Sequence, residues 1–265
     1  MAKKNKEISR RQFIQFGAMT AAGIGALGAG AAYLKTKDTT NGINMLRPPG
    51  AITNDEFMFA CIKCGLCVQI CPIEAVKLAD ITQGLSYGTP YIDVREQACD
   101  FSCDAMQCVE TCPTAALSFE GFKKIGEDAY EKFLVEHPNP TKDQNPFAAQ
   151  SLAMKAHTNM GIAVLNTDTC LAVKGKGYKG VPRKDGFKGV YRSPNPKREE
   201  MRASPVNDHA FDREICDICV TECPIGETAI VIENNIPKVL DACTGCGVCT
   251  MLCPTEGPSI IIEKA

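Results

Sequence analysis

The sequence predicts an α+β fold in which a short unit, made of a strand, a cysteine-rich loop and a second strand, recurs along the chain. Two observations indicate this repeat. Sixteen cysteines occur among 265 residues, most of them in four compact motifs that each end in a Cys-Pro pair. Apolar segments rich in β-branched residues flank the motifs, as expected of strands of about 4–6 residues.

The predicted strands lie on both sides of the motifs. They precede them at residues 90–94, 161–165 and 236–240 and follow them at residues 75–78, 116–119, 229–232 and 259–262. Between the last two cysteines of each motif we expect a short helical turn, because the following proline cannot continue a helix. Residues 121–160 contain no cysteine and are predicted to form a helical connector between two halves of the chain.

Two motifs are near copies with the spacing C-x2-C-x2-C-x3-C-P. They consist of Cys61, Cys64, Cys67 and Cys71 near the start, and of Cys243, Cys246, Cys249 and Cys253 near the end. Two irregular motifs lie between them. These consist of Cys99, Cys103, Cys108 and Cys112, and of Cys216, Cys219 and Cys223. The sixteenth cysteine, Cys170, directly follows a predicted strand, where the first ligand of a motif would stand, so it is the candidate fourth ligand of the third motif.

These spacings are typical of [4Fe–4S] clusters. A C-x2-C-x2-C loop wraps three thiolates around one cluster, and in two-cluster arrangements the cysteine before proline ligates the other cluster. Structural zinc is the main alternative, but four-cysteine zinc sites use two separate pairs. A disulfide framework is the third interpretation. It fits poorly, because cysteines separated by only two residues make poor disulfide bonds and the prolines would have no role in such a framework.

The crossed rule predicts four ligand sets. Cluster A takes Cys61, Cys64, Cys67 and Cys112, and cluster B takes Cys71, Cys99, Cys103 and Cys108. Cluster C takes Cys170, Cys216, Cys219 and Cys253, and cluster D takes Cys223, Cys243, Cys246 and Cys249. Iron is thus held through all sixteen cysteines, and folding is coupled to cluster insertion.

Composition excludes several function classes. The chain has no tryptophan and 6% aromatic residues, a thin supply for a large apolar core, so metal centres are expected to stabilise it. Its formal charge of −2 argues against a nucleic-acid partner, which would need a net basic face. No haem motif, phosphate-binding loop or nucleophile–histidine arrangement is present in the sequence, so we expect no catalytic centre.

The N-terminus resembles a twin-arginine signal peptide. Arg10 and Arg11 precede an uncharged run at residues 12–34, and 12 of the 22 residues at 13–34 are glycine or alanine. The alternative is a transmembrane helix, for which this run is long enough but weakly apolar. We assign residues 1–34 to the signal, whose resemblance implies export of the folded, cluster-loaded protein to the periplasm.

A basic insertion separates Cys170 from Cys216 at residues 171–215. Within it, residues 174–202 carry ten basic side chains against three acidic ones. A solvated loop is one interpretation. The other is a docking surface for an acidic redox partner or for anionic lipid, because opposite charges steer encounter.

Taken together, the signal, the segment Leu46-Arg-Pro-Pro-Gly50, the Cys61–Pro72 motif, Gly88-Thr-Pro-Tyr91 and the four Cys-Pro pairs resemble the NapG/MauM family. The resemblance implies two bacterial-type two-cluster ferredoxin-like domains, at residues 51–120 and 161–265, with long irregular connectors. It also implies a periplasmic electron carrier between a membrane quinol dehydrogenase, NapH, and the periplasmic nitrate reductase system, with possible peripheral membrane association. The second possibility is a four-cluster subunit of another periplasmic system, of the nitrite reductase or hydrogenase type.

Overall fold

A computed structural model of the chain describes residues 45–103, 106–141, 144–194 and 202–264. The predicted signal peptide lies outside these residues. Within them, no helix combines the length and the apolar character that crossing a bilayer requires. By their contacts, residues 80–87 separate from the rest of the described chain; they hold a 3₁₀ segment, Ile81–Ser86, whose N-cap Asp80 accepts a hydrogen bond from the N–H of Thr82.

The first half contains short elements around its two motifs. They are helix α1 (Asn54–Ala60), helix α2 (Leu66–Gln69), strand β1 (Val76–Leu78), strand β2 (Pro90–Ile92) and helix α3 (Gln107–Glu110). Strands β1 and β2 pair antiparallel, with Val76 opposite Ile92. Helices α2 and α3 are the predicted turns before the Cys-Pro pairs.

A strand predicted at residues 116–119 is absent, and this prediction was wrong. Leu117 forms an isolated antiparallel bridge with Ala51 instead. The partner segment carries Pro48 and Pro49, which have no N–H to donate, and Gly50 turns the chain with φ of 74°. The ladder therefore stops after the bonds from Ile52 to Ala116 and from Ser118 to Gly50.

Two helices occupy the segment between the halves. Helix α4 (Glu120–Glu136) and helix α5 (Pro146–Ala156) pack against each other. The Sδ atom of Met154 occupies the space that a side chain at Gly126 would need. Asn145 caps α5 by accepting the N–H of Phe147 at 3.0 Å, and Pro146 occupies the first turn, where its missing N–H costs nothing. The described part of the connector thus holds two helices, joined by a segment whose described residues are not helical.

The second half contains four motif-flanking strands and two helices. They are strand β3 (Ile162–Leu165), helix α6 (Ile218–Thr221), strand β8 (Ile230–Glu233), strand β9 (Ile236–Val239), helix α7 (Val248–Leu252) and strand β10 (Ile260–Glu263). Strands β8 and β9 form a hairpin, whereas β3 pairs antiparallel with β10, Leu165 opposite Ile260. This pairing ties the segment before Cys170 to the last strand.

In its described part the insertion is folded into paired strands, while its lysines remain exposed to solvent. It contains strand β4 (Tyr178–Gly180), strand β5 (Val190–Tyr191), strand β6 (Ser204–Pro205) and strand β7 (Phe211–Arg213). Strand β4 pairs with β7, and β5 pairs with β6. Several of its basic residues are engaged: Lys179 pairs with Asp212 and Lys184 pairs with Glu256.

One apolar core runs through both halves. Phe57, Ile92 and Leu117 of the first half and Ile218 and Met251 of the second belong to the same cluster of buried side chains. The partly buried cysteines pack against this cluster. The core therefore surrounds the cysteine loops and positions them.

Replacing Gly161 with alanine is expected to destabilise the second half. A Cβ at Gly161 would lie 2.3 Å from the carbonyl oxygen of Glu263, which belongs to the paired strand β10. Overpacking of this kind costs about 1–3 kcal/mol, so the midpoint of thermal unfolding should fall by several degrees. Gly121→Ala is the control, because its Cβ meets nothing closer than 3.9 Å; equal midpoints for the two variants would contradict the prediction.

Candidate iron–sulfur sites

The cysteines of the first and second motifs meet in two groups. Group A, Cys61, Cys64, Cys67 and Cys112, lines one cavity of about 380 Å³. Group B consists of Cys71, Cys99, Cys103 and Cys108. Burial is the main cause that raises the pKa of Cys103 and of Cys108, and the nearby charge of Cys71 raises both further. Both groups therefore draw a thiol from each motif.

The second half repeats this arrangement. Group C, Cys170, Cys216, Cys219 and Cys253, lines a cavity of about 360 Å³. Group D, Cys223, Cys243, Cys246 and Cys249, lines a cavity of about 350 Å³. Each of the three cavities is lined by the four thiols of its group and by apolar side chains, which suits one kind of occupant. The structure thus brings Cys170 to the group for which the strand before it made it a candidate.

Left-handed residues shape the ligand loops. In the first motif Lys63 and Gly65 have φ of 58° and 76°, and in the last motif Gly245 and Gly247 have φ of 67° and 84°. These residues lie between the cysteines and bend the loop there, so that successive thiols face the same cavity. The short helix that follows carries the third cysteine and stops at the Cys-Pro pair.

The sulfur atoms before the prolines accept backbone hydrogen bonds. The N–H of Ala75 donates to Sγ of Cys71 at 3.3 Å, that of Leu117 to Cys112 at 3.4 Å, and that of Ser259 to Cys253 at 3.3 Å. Donors of this kind stabilise thiolates over thiols. Sequence reasoning did not single out these donors, because they are backbone N–H groups of different residue types that lie four, five and six residues after the cysteine.

Burial governs the ionisation of the thiols. It raises the pKa of Cys67 and of Cys216 to about 11, and that of Cys108 and of Cys246 to about 12. Without a metal these thiols would hold their protons at neutral pH. Because a metal binds the thiolate, loading the sites releases protons.

Cys112 and Cys253 behave differently. Burial opposes their ionisation, but hydrogen bonds outweigh it and leave the pKa of each below its ordinary value. For Cys253 the largest of these bonds involves the hydroxyl of Thr255, 3.1 Å from Sγ. For Cys112 the hydroxyl of Thr114 lies farther away, at 3.8 Å.

The residues present fit a [4Fe–4S] cluster. Each group offers four thiols and no other donor type, which is the ligand set of a cubane. In groups A, C and D the thiols surround a cavity. Within the described residues no set of three or more His, Cys, Asp or Glu side chains is placed to hold a single metal ion. When bound, such clusters accept and donate single electrons.

Contacts connect the four groups in the order A, B, D, C. Groups A and B share both of their loops, because Cys71 of group B follows Cys67 of group A by four residues and Cys112 of group A follows Cys108 of group B by four. The N–H of Cys99 in group B donates to the carbonyl of Cys246 in group D at 3.2 Å. Cys219 of group C also lines the cavity of group D.

Arg95 is a residue near the sites that sequence reasoning missed. It belongs to the first half, yet its guanidinium donates to the carbonyls of Thr250, Cys253 and Thr255 at 2.7, 2.9 and 2.8 Å. Burial lowers its pKa, and the nearby charge of Cys253 opposes this effect. No local motif surrounds Arg95, because its partners are more than 150 residues away in the sequence.

Comparisons with known proteins support the same chemistry. The 4Fe-4S dicluster domain family matches residues 60–126, and the 4Fe-4S binding domain family matches residues 240–256. With sixteen cysteines in four groups, the chain carries four [4Fe–4S] clusters. No solved structure matches the chain.

Relatives of two names match nearly the whole chain. The ferredoxin-type protein NapG of Escherichia coli is 30% identical over 95% of this chain and 84% of its own length. The methylamine utilization ferredoxin-type protein MauM of Methylorubrum extorquens is 30% identical over 94% of this chain and 86% of its own. MauM of Paracoccus denitrificans is 28% identical over 94% of this chain and 84% of its own. The resemblance predicted from the motifs is confirmed.

Replacing Cys170 with alanine is expected to leave group C with three thiols. The iron content should then fall below the roughly 16 atoms per chain that four cubanes contain. Iron and acid-labile sulfide are measured on anaerobically purified protein. Thr169→Ala, which changes the neighbouring residue outside the group, should retain the full content; an undiminished content in the Cys170 variant would show that group C takes its fourth ligand elsewhere.

Replacing Thr255 with valine is expected to lower the reduction potential of the cluster held by group C. A hydrogen bond to a ligand sulfur stabilises the more negative, reduced cluster, so its loss shifts the potential downward. The hydroxyl of Thr255 has one proton, which the carbonyl oxygen of Gly257 at 2.7 Å also accepts, so a net bond of about 0.5–1.5 kcal/mol to sulfur sets an upper bound of roughly 20–60 mV for one electron.

Thr114→Val is the matched control, because the equivalent hydroxyl is 3.8 Å from its sulfur instead of 3.1 Å. Redox titration followed by electron paramagnetic resonance (EPR) should show the larger shift in the Thr255 variant. Equal shifts, or an upward shift, would contradict the assignment of this hydrogen bond.

Proposed function

The chain belongs to the family of NapG and MauM ferredoxin-type proteins, and we propose that it relays electrons in the periplasm from a membrane quinol dehydrogenase of the NapH kind towards periplasmic nitrate reductase. The family match indicates an iron–sulfur role in electron transfer. The direction, the partners and the compartment belong to the proposal, as does the export by the twin-arginine route that residues 1–34 resemble.

The row of thiol groups is the observation that carries the proposal. Four groups joined by successive contacts form a path that extends from group A to group C, as an electron relay requires. A protein that used metal only for stability would not need the groups to adjoin one another. The ligand sets are those predicted from the sequence: Cys61, Cys64, Cys67 and Cys112 for cluster A; Cys71, Cys99, Cys103 and Cys108 for cluster B; Cys170, Cys216, Cys219 and Cys253 for cluster C; and Cys223, Cys243, Cys246 and Cys249 for cluster D.

The surface around group A supports a membrane partner. Phe59, Ile62 and Leu66 are 93%, 62% and 40% exposed, and Ile62 and Leu66 line the cavity of group A. Large apolar side chains exposed together in one short segment favour contact with a protein or a membrane. We therefore place the entry of electrons at group A and their exit at group C.

The chain has no catalytic role in this proposal. Its residues hold the clusters, adjust their potentials through hydrogen bonds to sulfur, and keep water away from the buried thiolates. The oxidation of quinol and the reduction of nitrate take place on its partners.

A second function is favoured by the MauM relatives, whose identity equals that of NapG. In that case the chain would serve methylamine utilization, with the same four clusters and a different terminal partner. The thiol groups are compatible with both functions.

Deleting the gene is expected to abolish most nitrate reduction driven by quinol in whole cells. Nitrate reduction driven by a reduced viologen dye should persist, because the dye donates to the reductase directly. Normal quinol-driven rates in the deletion strain would reject the nitrate assignment, and failure of the same strain to grow on methylamine would support the second function.

A further inference from the structure

The residues just before Cys99 lie against the second half of the protein. The N–H of Cys99 donates to the carbonyl of Cys246 at 3.2 Å, and the N–H of Ala98 donates to Sδ of Met251 at 3.3 Å. A Cβ at Gly247 would lie 2.4 Å from Cβ of Val94. We call residues 94–101 the junction segment, because they bring the loop of group B into contact with the loop of group D.

The insertion covers the junction segment from another side. The amide of Gln97, which is 7% exposed, donates from Nε2 to the carbonyl of Val190 at 2.8 Å and accepts the N–H of Val190 at 2.9 Å. The two bonds have the pattern of a hydrogen-bonded residue pair between antiparallel strands, in which the side-chain amide of Gln97 takes the place of one backbone. The N–H of Arg192 donates to the buried carboxylate of Asp100, and its guanidinium donates to the carbonyl of Phe101 at 2.9 Å.

The same segment of the insertion is fastened to the second half. The hydroxyls of Tyr191 and Ser193 donate to Oε2 of Glu222 at 2.9 and 2.6 Å. Tyr191 and Glu222 are buried, and Glu222 directly precedes Cys223 of group D. The strand pair β5–β6 is therefore bound to the first half at Gln97 and to group D at Glu222.

Arg183 connects both halves through one nitrogen atom. Its Nη1 donates to the carbonyl of Arg95 in the first half and to that of Met251 in the second, each at 3.1 Å. The guanidinium lies 4.0 Å from the ring centroid of Phe187, a contact that holds it in place.

We propose that strands β5 and β6, with Arg183, form a clamp that presses the junction segment onto the second half and fixes the separation between groups B and D. Gln97 and Arg183 are its positioning residues. The inference rests on the proposed function, since it requires that both groups hold clusters. The two halves share one apolar core. The clamp adds buried hydrogen bonds to both sides of the junction segment and so opposes its local opening.

The experiment compares the fully reduced protein with variants of the clamp by EPR. The magnetic interaction between two reduced clusters falls steeply with their separation, so it reports the junction. Gln97→Ala and Arg183→Ala are expected to weaken the interaction at unchanged iron content. Lys188→Ala changes an exposed lysine of the insertion outside the clamp and should match the unaltered protein. Arg183→Lys keeps a donor for both carbonyls and should recover most of the interaction.

Hydrogen exchange of the peptide covering residues 94–101 measures the same contact independently. Loss of the Gln97 bonds should speed exchange there by about fivefold, the factor expected for an ordinary hydrogen bond. An unchanged interaction and unchanged exchange in both alanine variants would overturn the clamp. If one alanine variant lost iron, the other alanine variant and Arg183→Lys would decide the matter, because loss of a cluster by itself speeds exchange around Cys99.

Different results would reject the proposed function and the clamp. Wild-type protein without reducible clusters would reject the proposed function. Wild-type protein with four reducible clusters and clamp variants identical to it would reject this inference alone.

Discussion

Each buried thiol group in this protein is completed by a cysteine from the other motif of the same half, and the rest of the fold follows from this constraint. Cys112 reaches back to the first motif, and Cys253 reaches back to the third. Burial raises the pKa of several other thiols, Cys67 and Cys216 among them, and thiols that stay protonated contribute little free energy when the fold brings them together. Bonds to iron supply the missing free energy, as in other small domains whose core is thin.

In the described chain most strands position the cysteine loops, and none joins a sheet larger than a pair. The pairs β1–β2, β3–β10 and β8–β9 bring the chain back after a motif or lead it into the next. The short helices α2, α3, α6 and α7 turn the third cysteine inward and end at a Cys-Pro pair. The apolar core then fills the space between the loops and continues from one half into the other.

Contacts between the halves convert two pairs of groups into one row. The bond from Cys99 to Cys246 joins the inner groups, and Arg95 binds the carbonyls around Cys253 from the opposite half. The insertion adds to this interface through Gln97 and Arg183. Its basic side chains therefore serve partly as internal hydrogen-bond donors, a use that a count of charges does not reveal.

The sequence by itself determined the local units: the cysteine spacing, the helical turn before each Cys-Pro pair and most flanking strands depend on neighbouring residues. It also pointed to Cys170, because a strand precedes it as in the other motifs. The bridge at Leu117 escaped sequence reasoning, since the limit on that strand lies in the prolines of its distant partner. Only the tertiary structure decided which groups adjoin and what the insertion contacts. The partners of Arg95, Gln97 and Cys99 lie about 90 to 160 residues away, and no local pattern specifies such pairs.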